Sequence, residues 1–269
     1  MSAPLVAPLA MHGAGNRFVL IDERPARIGD YANLARELCE ARAGERGFDG
    51  ILVVLDDPLA QARMRIFNAD GGEAEMCGNG LRCVARYLAE RGAPDAFEVA
   101  TNAGPIPVEI RSRVADWAIR LTLGQPCFPA GLEGEMVVVG GVPRDAIRVE
   151  TGNLHVVVPL DARAFGALEV ARDGAALAAD PRFLGCNVHF ALRLADDALR
   201  VAHFERGVGP TQACGTGAVA SAAAYLARGR LRSPVRVEVP GGTLVVGWEL
   251  GGPASLEGPA VPLEFGARG

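Results

Sequence analysis

The sequence predicts an α+β fold made of two pseudo-symmetric halves. Each half is a mostly antiparallel sheet wrapped around a central helix, with the functional site in the cleft between them. Three observations lead there. First, Cys77-Gly78-Asn79-Gly80 recurs as Cys214-Gly215-Thr216-Gly217, an offset of 137 positions (214 − 77) in a chain of 269 residues. The same offset carries Gly15-Asn16 onto Gly152-Asn153, Phe67 onto Phe204, Gly72 onto Gly209 and Gly104 onto Gly241. A period of half the chain is too long for a solenoid and reads as duplication of a whole domain. Second, a helical apolar period follows each motif: Leu81, Val84, Ala85 and Leu88, then Val219, Ala222, Ala223 and Leu226. Third, short strand-like runs flank both helices, a pattern of α+β architecture.

Taken in order, Phe18–Ile21 and Ile51–Leu55 are apolar runs suited to buried strands, and Asp30 is placed to cap a helix over Tyr31–Ala43. The first central helix runs to a stop at Gly92, and Phe97–Ala100 is the next strand. In the second half His155–Pro159 and Leu199–Phe204 read as strands, and Gly229 is the matching helix stop before the strand Val235–Val239. The helix after Cys214 is apolar almost all round, with Ser221 the polar exception, so it should be enclosed by sheet. The halves are expected as 1–125 and 126–269, divided somewhere in 115–148, with a C-terminal strand able to cross over.

Apolar residues make up 49% and charged residues 22% of the chain, a globular balance, and the formal net charge is −5. No Lys/Arg cluster offers a footprint for nucleic acid or an anionic membrane, so a small-molecule partner is expected. No apolar run is long enough to span a bilayer, and Met1–Ala10, broken by Pro4 and Pro8, reads poorly as a signal peptide. Six cysteines without Cys-x-x-Cys spacing point to reduced thiols in the cytoplasm rather than to zinc or a disulfide framework. No metal or other cofactor is expected.

Cys77 and Cys214 each stand at a helix entry, where unpaired backbone N–H groups and the helix dipole favour an anion and ease thiol ionisation. If the halves face one another, a carboxylate can sit between two helix N-termini with a thiol on either side. One thiolate then removes an α-proton, and the opposite thiol returns a proton to the other face, inverting the carbon. Other readings of the same residues are a phosphate-binding glycine turn, buried structural cysteines, and a redox exchanger. The first lacks the Walker pattern and the last lacks Cys-x-x-Cys; equivalent placement in both halves weighs against the second.

At these residues the chain resembles the diaminopimelate epimerases, cofactor-independent amino-acid epimerases whose fold is usually described as two α/β halves. The matching motifs are Met11-His-Gly-Ala-Gly-Asn16, Phe67-Asn-Ala-Asp-Gly71, Cys77-Gly-Asn-Gly80, Gly152-Asn153 with His155, Asn187, Glu205-Arg-Gly207 and Thr211-Gln-Ala-Cys-Gly-Thr-Gly217. They run in family order through nearly the whole chain. The resemblance implies that Cys77 and Cys214 are the acid/base pair. It implies further that Gly78, Asn79, Gly215 and Thr216 present backbone N–H groups to the carboxylate of the reacting centre. Asn16, Asn68, Asn153, Asn187, Glu205 and Arg206 would hold the amino acid, and His155 and Glu205 would tune the thiols. A homodimer is an expectation of the family alone. Departures are Arg17 where members often have Asp, Leu154 where many have Pro, and Gly50, where some have Gln. The activity implied is epimerisation of LL-2,6-diaminopimelate to the meso form, for lysine or cell-wall precursors. A related racemase with another substrate and a non-catalytic amino-acid binder remain as alternatives.

Two thiols that flank one carbon should also oxidise to a Cys77–Cys214 bridge, provided their Cα atoms come within about 7 Å. The expected result is reversible inactivation by mild oxidant, slowed by substrate. Peptide mapping checks it; inactivation with the two cysteines unlinked contradicts the facing arrangement.

Overall fold

The computed structural model of the chain describes residues 8–25, 29–41 and 46–264. It is a mixed α+β protein, mostly strand, with five α-helices among the described residues. Contacts divide it into two compact units, Met1–Leu121 joined by Gly258–Gly269, and Thr122–Glu257. The first division thus falls slightly ahead of the 125/126 boundary read from the sequence, and the C-terminal segment belongs with the first unit.

The first unit contains β1 (Leu9–Gly13), β2 (Asn16–Asp22), α1 (Tyr31–Cys39), β3 (Gly50–Leu55), β4 (Ala62–Asn68) and β5 (Glu73–Ala74). There follow α2 (Gly78–Ala89), β6 (Ala96–Thr101), β7 (Gly104–Ser112) and β8 (Ala118–Thr122). The second unit contains β9 (Glu135–Val139), β10 (Val142–Glu150), β11 (Leu154–Leu160), α3 (Ala162–Gly166), α4 (Val170–Ala178) and β12 (Asn187–Ala195). It continues with β13 (Ala198–Glu205), β14 (Gly209–Thr211), α5 (Gly215–Ala227), β15 (Val235–Val239), β16 (Gly242–Gly247) and β17 (Ser255–Gly258). The last strand, β18 (Val261–Leu263), pairs antiparallel with β1.

Strand pairing follows the same order in both units. In the first, β1 pairs antiparallel with β2, β2 parallel with β3, β3 antiparallel with β4, and β4 parallel with β6, which leads antiparallel to β7 and β8. In the second, β10 pairs antiparallel with β11, β11 parallel with β12, β12 antiparallel with β13, and β13 parallel with β15, which leads antiparallel to β16 and β17. Each sheet is therefore mostly antiparallel with two parallel joins, which short alternating runs did not reveal. Register repeats too. Phe18 faces Gly50 and Leu52 faces Ile66; 137 positions on, His155 faces Asn187 and His189 faces His203. In the second unit the neighbour of β10 is β9; in the first, the equivalent place beside β1 is taken by β18 from the far end of the chain.

The central helices are buried as their composition demands. Leu81, Val84, Ala85 and Leu88 of α2, and Ala218–Ala220 with Ala222–Ala224 of α5, are enclosed. Burying a leucine side chain contributes about 2 kcal/mol, so these faces hold each helix to its sheet. The outer faces carry the other helices. Leu34, Leu38 and Cys39 of α1 pack on Val19, Ile21, Ile51, Val53 and Phe67. In the second unit Phe165 and Leu177, from α3 and α4, pack on Val156, Val158, Val188 and Phe190. Asp30 caps α1 by accepting from Asn33 N–H, and the helix ends at Cys39. Of the range expected for it, residues 42 and 43 lie outside the described residues, as do residues 1–7 of the segment that reads poorly as a signal peptide. Gly229 takes the left-handed position directly after the α5 cap, whereas Gly92 sits one position further out than expected, after Arg91.

Glycines stand in close contact around both central helices. A Cβ at Gly13 would stand 2.6 Å from the Asn79 carbonyl oxygen, one at Gly80 2.6 Å from a Leu52 methyl, and one at Gly217 2.3 Å from the His189 ring. Gly13→Ala therefore presses on backbone and should cost about 2–3 kcal/mol, whereas Gly80→Ala meets a methyl that can rotate and gains helix propensity, so it should be close to neutral. Urea unfolding of the two variants checks this order.

Candidate active site

Two half-sites are built on equivalent elements and are described separately. In the first unit Cys77 is the N-cap of α2, extended in conformation (φ −141°, ψ 114°) and half-buried. Its side chain accepts no capping hydrogen bond, and the first intrahelical bond is Leu81 N–H to the Cys77 carbonyl. The preceding N–H groups have no partner within the helix, so an anion can use them.

The Asn79 side chain is buried and committed to protein. Its Nδ2 donates to Asn16 Oδ1 at 2.6 Å, and its Oδ1 accepts from Arg82 Nη2 at 2.7 Å. Asn16 Nδ2 in turn lies 3.4 Å from Asp49 Oδ2. Both ends of the Asn16 amide and of the Asn79 amide thus bond within the unit. Asn68 is exposed at the end of β4, its backbone closing the turn to Gly72.

Arg82 escaped the sequence reading. It is fully buried, donating also to Gly78 O at 3.4 Å and, through Nε, to Pro259 O at 3.1 Å. Burial pulls its guanidinium down to about 10. The signal was present: the offset places Arg82 over Val219, a charged group at an enclosed apolar position.

In the second unit Cys214 is the N-cap of α5 (φ −124°, ψ 110°), again without a side-chain cap, and only 5% exposed. Burial first, and then the Glu205 carboxylate beside it, push its thiol well above the ordinary value; the Gly217 N–H and the Thr216 hydroxyl, 3.7 Å from the sulfur, act more weakly in the opposite sense. This corrects the expectation that a helix start makes the thiol easier to ionise. In a buried pocket beside a carboxylate, desolvation and like charge outweigh the dipole. His155, expected as a modulator, bonds instead to Asn153 Oδ1 and to His189, both at 2.7 Å. Asn187 Oδ1 accepts from the Arg206 backbone N–H at 3.0 Å, which leaves its amide nitrogen as the end facing other partners. Arg206 is exposed and Glu205 half-buried. The structure thus gathers Asn153 with His155, Asn187 with Arg206, and Glu205 with Cys214.

A family model described as Diaminopimelate epimerase matches residues 9–128 and 147–262. The chain belongs to the diaminopimelate epimerase family. Within that family it is 40% identical to the diaminopimelate epimerase of Desulforudis audaxviator, over 93% of this chain and 94% of that one. The diaminopimelate epimerase of Desulfitobacterium hafniense is 39% identical over 93% of each. Among solved structures, the phenazine biosynthesis protein of the PhzF family from Bacillus anthracis shares the fold at 17% identity and a TM-score of 0.74, covering 96% of each chain. A hydroxyproline epimerase from Agrobacterium vitis, solved with bound trans-4-hydroxy-L-proline, does so at 18% identity and a TM-score of 0.67, covering 98% of this chain and 91% of that one.

All six cysteines are free thiols; Cys39, Cys83, Cys186 and Cys214 are buried, but Cys127 is exposed. Of the four cysteines outside the motifs three are buried, and the exception, Cys127, sits at a single β-bridge to Glu150. Iodoacetamide should therefore modify Cys127 first. Cys214 should stay unmodified through neutral pH, its rate rising only above the ordinary thiol value of 9.0, because its raised pKa keeps it protonated below that. Peptide-resolved alkylation across pH 6–10 (on the order of one pH unit per step) reads both rates.

Proposed function

We propose that this chain epimerises LL-2,6-diaminopimelate to the meso form with Cys77 and Cys214 as a two-sided acid/base pair acting on one α-carbon. The observation that carries the reading is the pair of uncapped N-cap cysteines on equivalent helices, in a chain of the diaminopimelate epimerase family. In this reading the two units bring both helix starts to a single substrate. The α-carboxylate lies at the N–H groups of Gly78-Asn79 and Gly215-Thr216, which stabilise the charge that grows on it as the proton leaves. Cys214, held as the thiol by burial and by Glu205, delivers the proton, and Cys77 acts as the base in that direction. When the step is complete the Cys77 sulfur carries the proton and the Cys214 sulfur the charge, so the reverse reaction uses the same pair with exchanged roles.

Asn68, Asn153, Asn187 and Arg206 suit the distal amino-carboxylate head: an arginine fork and the amide N–H groups of Asn153 and Asn187 for the carboxylate, the Asn68 amide oxygen for the ammonium. A small amino acid has no second head for them. The chemistry calls only on thiols and helix ends, so the reading includes no cofactor. It also places the protein in the cytoplasm, where thiols stay reduced, as a homodimer. No helix among the described residues is long and apolar enough to cross a membrane.

The test is an amino-acid panel in D2O, with deuterium uptake at the α-carbon followed by NMR. Uptake and inversion with diaminopimelate alone support the reading. Uptake only with another amino acid makes the protein a racemase of different substrate, and binding without uptake makes it a binder. Cys77→Ala and Cys214→Ala should each lower turnover by at least roughly a thousandfold, since each face of the carbon loses its proton carrier. Near wild-type inversion in either variant removes the two-base mechanism.

A further inference from the structure

Beneath the first turn of α5 three imidazoles stand in line. His155 on β11, His189 on β12 and His203 on β13 are each no more than 1% exposed. His155 Nδ1 lies 2.7 Å from His189 Nε2, and His189 Nδ1 lies 2.9 Å from His203 Nδ1. One end of the row meets Asn153 Oδ1, 2.7 Å from His155 Nε2. At the other end His203 Nε2 is buried without a hydrogen-bond partner. The rings form a file rather than a convergent cluster, and no metal-holding group is found among the described residues.

The duplication supplies a control for this feature. The 137-residue offset places His155, His189 and His203 over Phe18, Leu52 and Ile66, which share their strand register and are as deeply buried. A sheet of the same pairing therefore closes over its helix with three apolar side chains. Burying three imidazoles instead forfeits favourable apolar transfer and leaves one ring nitrogen unpaired. Packing alone does not ask for them.

Hydrogen-bond polarity indicates what they do. Asn153 Oδ1 can only accept, so His155 must donate from Nε2. A neutral His155 then accepts at Nδ1, which makes His189 the donor at Nε2. His189 accepts at Nδ1, so His203 donates from Nδ1 and its Nε2 is a bare lone pair. Turning the Asn153 amide over would reverse every bond and strand an N–H at His203 in the interior, a costlier orphan than a lone pair. Burial holds His155 and His203 down to about 3 and His189 well below its ordinary value, so the file stays uncharged at neutral pH.

We propose that His189 and His203 are positioning residues: through His155 they lock the Asn153 carboxamide with its oxygen inward and its NH2 outward, as a donor for a substrate carboxylate. The choice of substrate rests on the epimerase reading above; the tautomer pattern does not. Neither residue touches substrate.

Ring-nitrogen NMR on histidine-labelled full-length protein tests the pattern without any variant. Expected are neutral rings from pH about 6 to 8, protonated at Nε2 in His155 and His189 and at Nδ1 in His203. The reversed pattern, or titration of any of these three rings in this range, overturns the proposal; His12, outside the file, does not bear on it. The kinetic arm uses His189→Leu and His203→Ile, which copy the first unit and should fold with an unchanged or higher Tm. In both, KM for diaminopimelate should rise roughly tenfold with kcat nearly unchanged, the loss of one oriented hydrogen bond to a charged group. Folded variants with wild-type KM reduce the file to packing and overturn the proposal. A wild-type protein inactive on diaminopimelate would instead count against the epimerase reading, and the ring nitrogens would still decide the file.

Discussion

Everything at the two half-sites depends on helices that begin without a side-chain cap. Two other helices are capped by carboxylates, Asp30 accepting from Asn33 N–H at α1 and Asp161 from Ala164 N–H at α3, while α4 starts at Glu169 without a side-chain cap. At α2 and α5 the N-cap is cysteine, a poor acceptor, and no side chain closes the first turn. A cysteine N-cap in place of Ser or Asp costs about 1 kcal/mol per helix. The apolar burial along the rest of each helix is several times larger, so the fold tolerates the loss. Gly13 and Gly217 let neighbouring groups come into direct contact with the open turns, which fixes their position.

The same scaffold then carries two different interiors. Under α2 lie Phe18, Leu52 and Ile66, with the buried Arg82 cation further along the helix; under α5 lie three neutral imidazoles, with the Glu205 carboxylate near the thiol. Geometry has been duplicated while electrostatics has not. The proposed acid/base pair would use that difference, because in it one sulfur carries the proton that the other lacks. Burial beside Glu205 gives Cys214 the protonated state in the free protein.

The repeat was legible because it falls on glycines and cysteines at two helix starts; at the second, Gly217 lies directly against the His189 ring. The buried strands and central helices followed from apolar period, and the family motifs supplied Asn153, Asn187 and Arg206. Cross-strand chemistry was not legible. His189 and His203 are single polar residues in apolar strands, and their contact depends on a register that one sequence does not state. Arg82 was hidden for a similar reason, since its partner Pro259 O is contributed by a segment far along the chain. The ionisation of Cys214 was misjudged because motif position shows the dipole but not the depth of burial. The short helices Ala162–Gly166 and Val170–Ala178 carry too brief a period to be read with confidence of type.

The return of β18 to β1 sets an order of assembly. Until Val261–Leu263 leave the ribosome, β1 has β2 on one side and an unpaired row of N–H and C=O groups on the other. The carbonyls of Pro259 and Ala260, which bind the guanidinium groups of Arg82 and Arg86, also arrive only then. The unit made first is thus completed last. Until then it displays an open sheet edge, the kind of feature that makes unfinished chains prone to aggregate, and Arg82 has only its partners on α2, Gly78 O and Asn79 Oδ1.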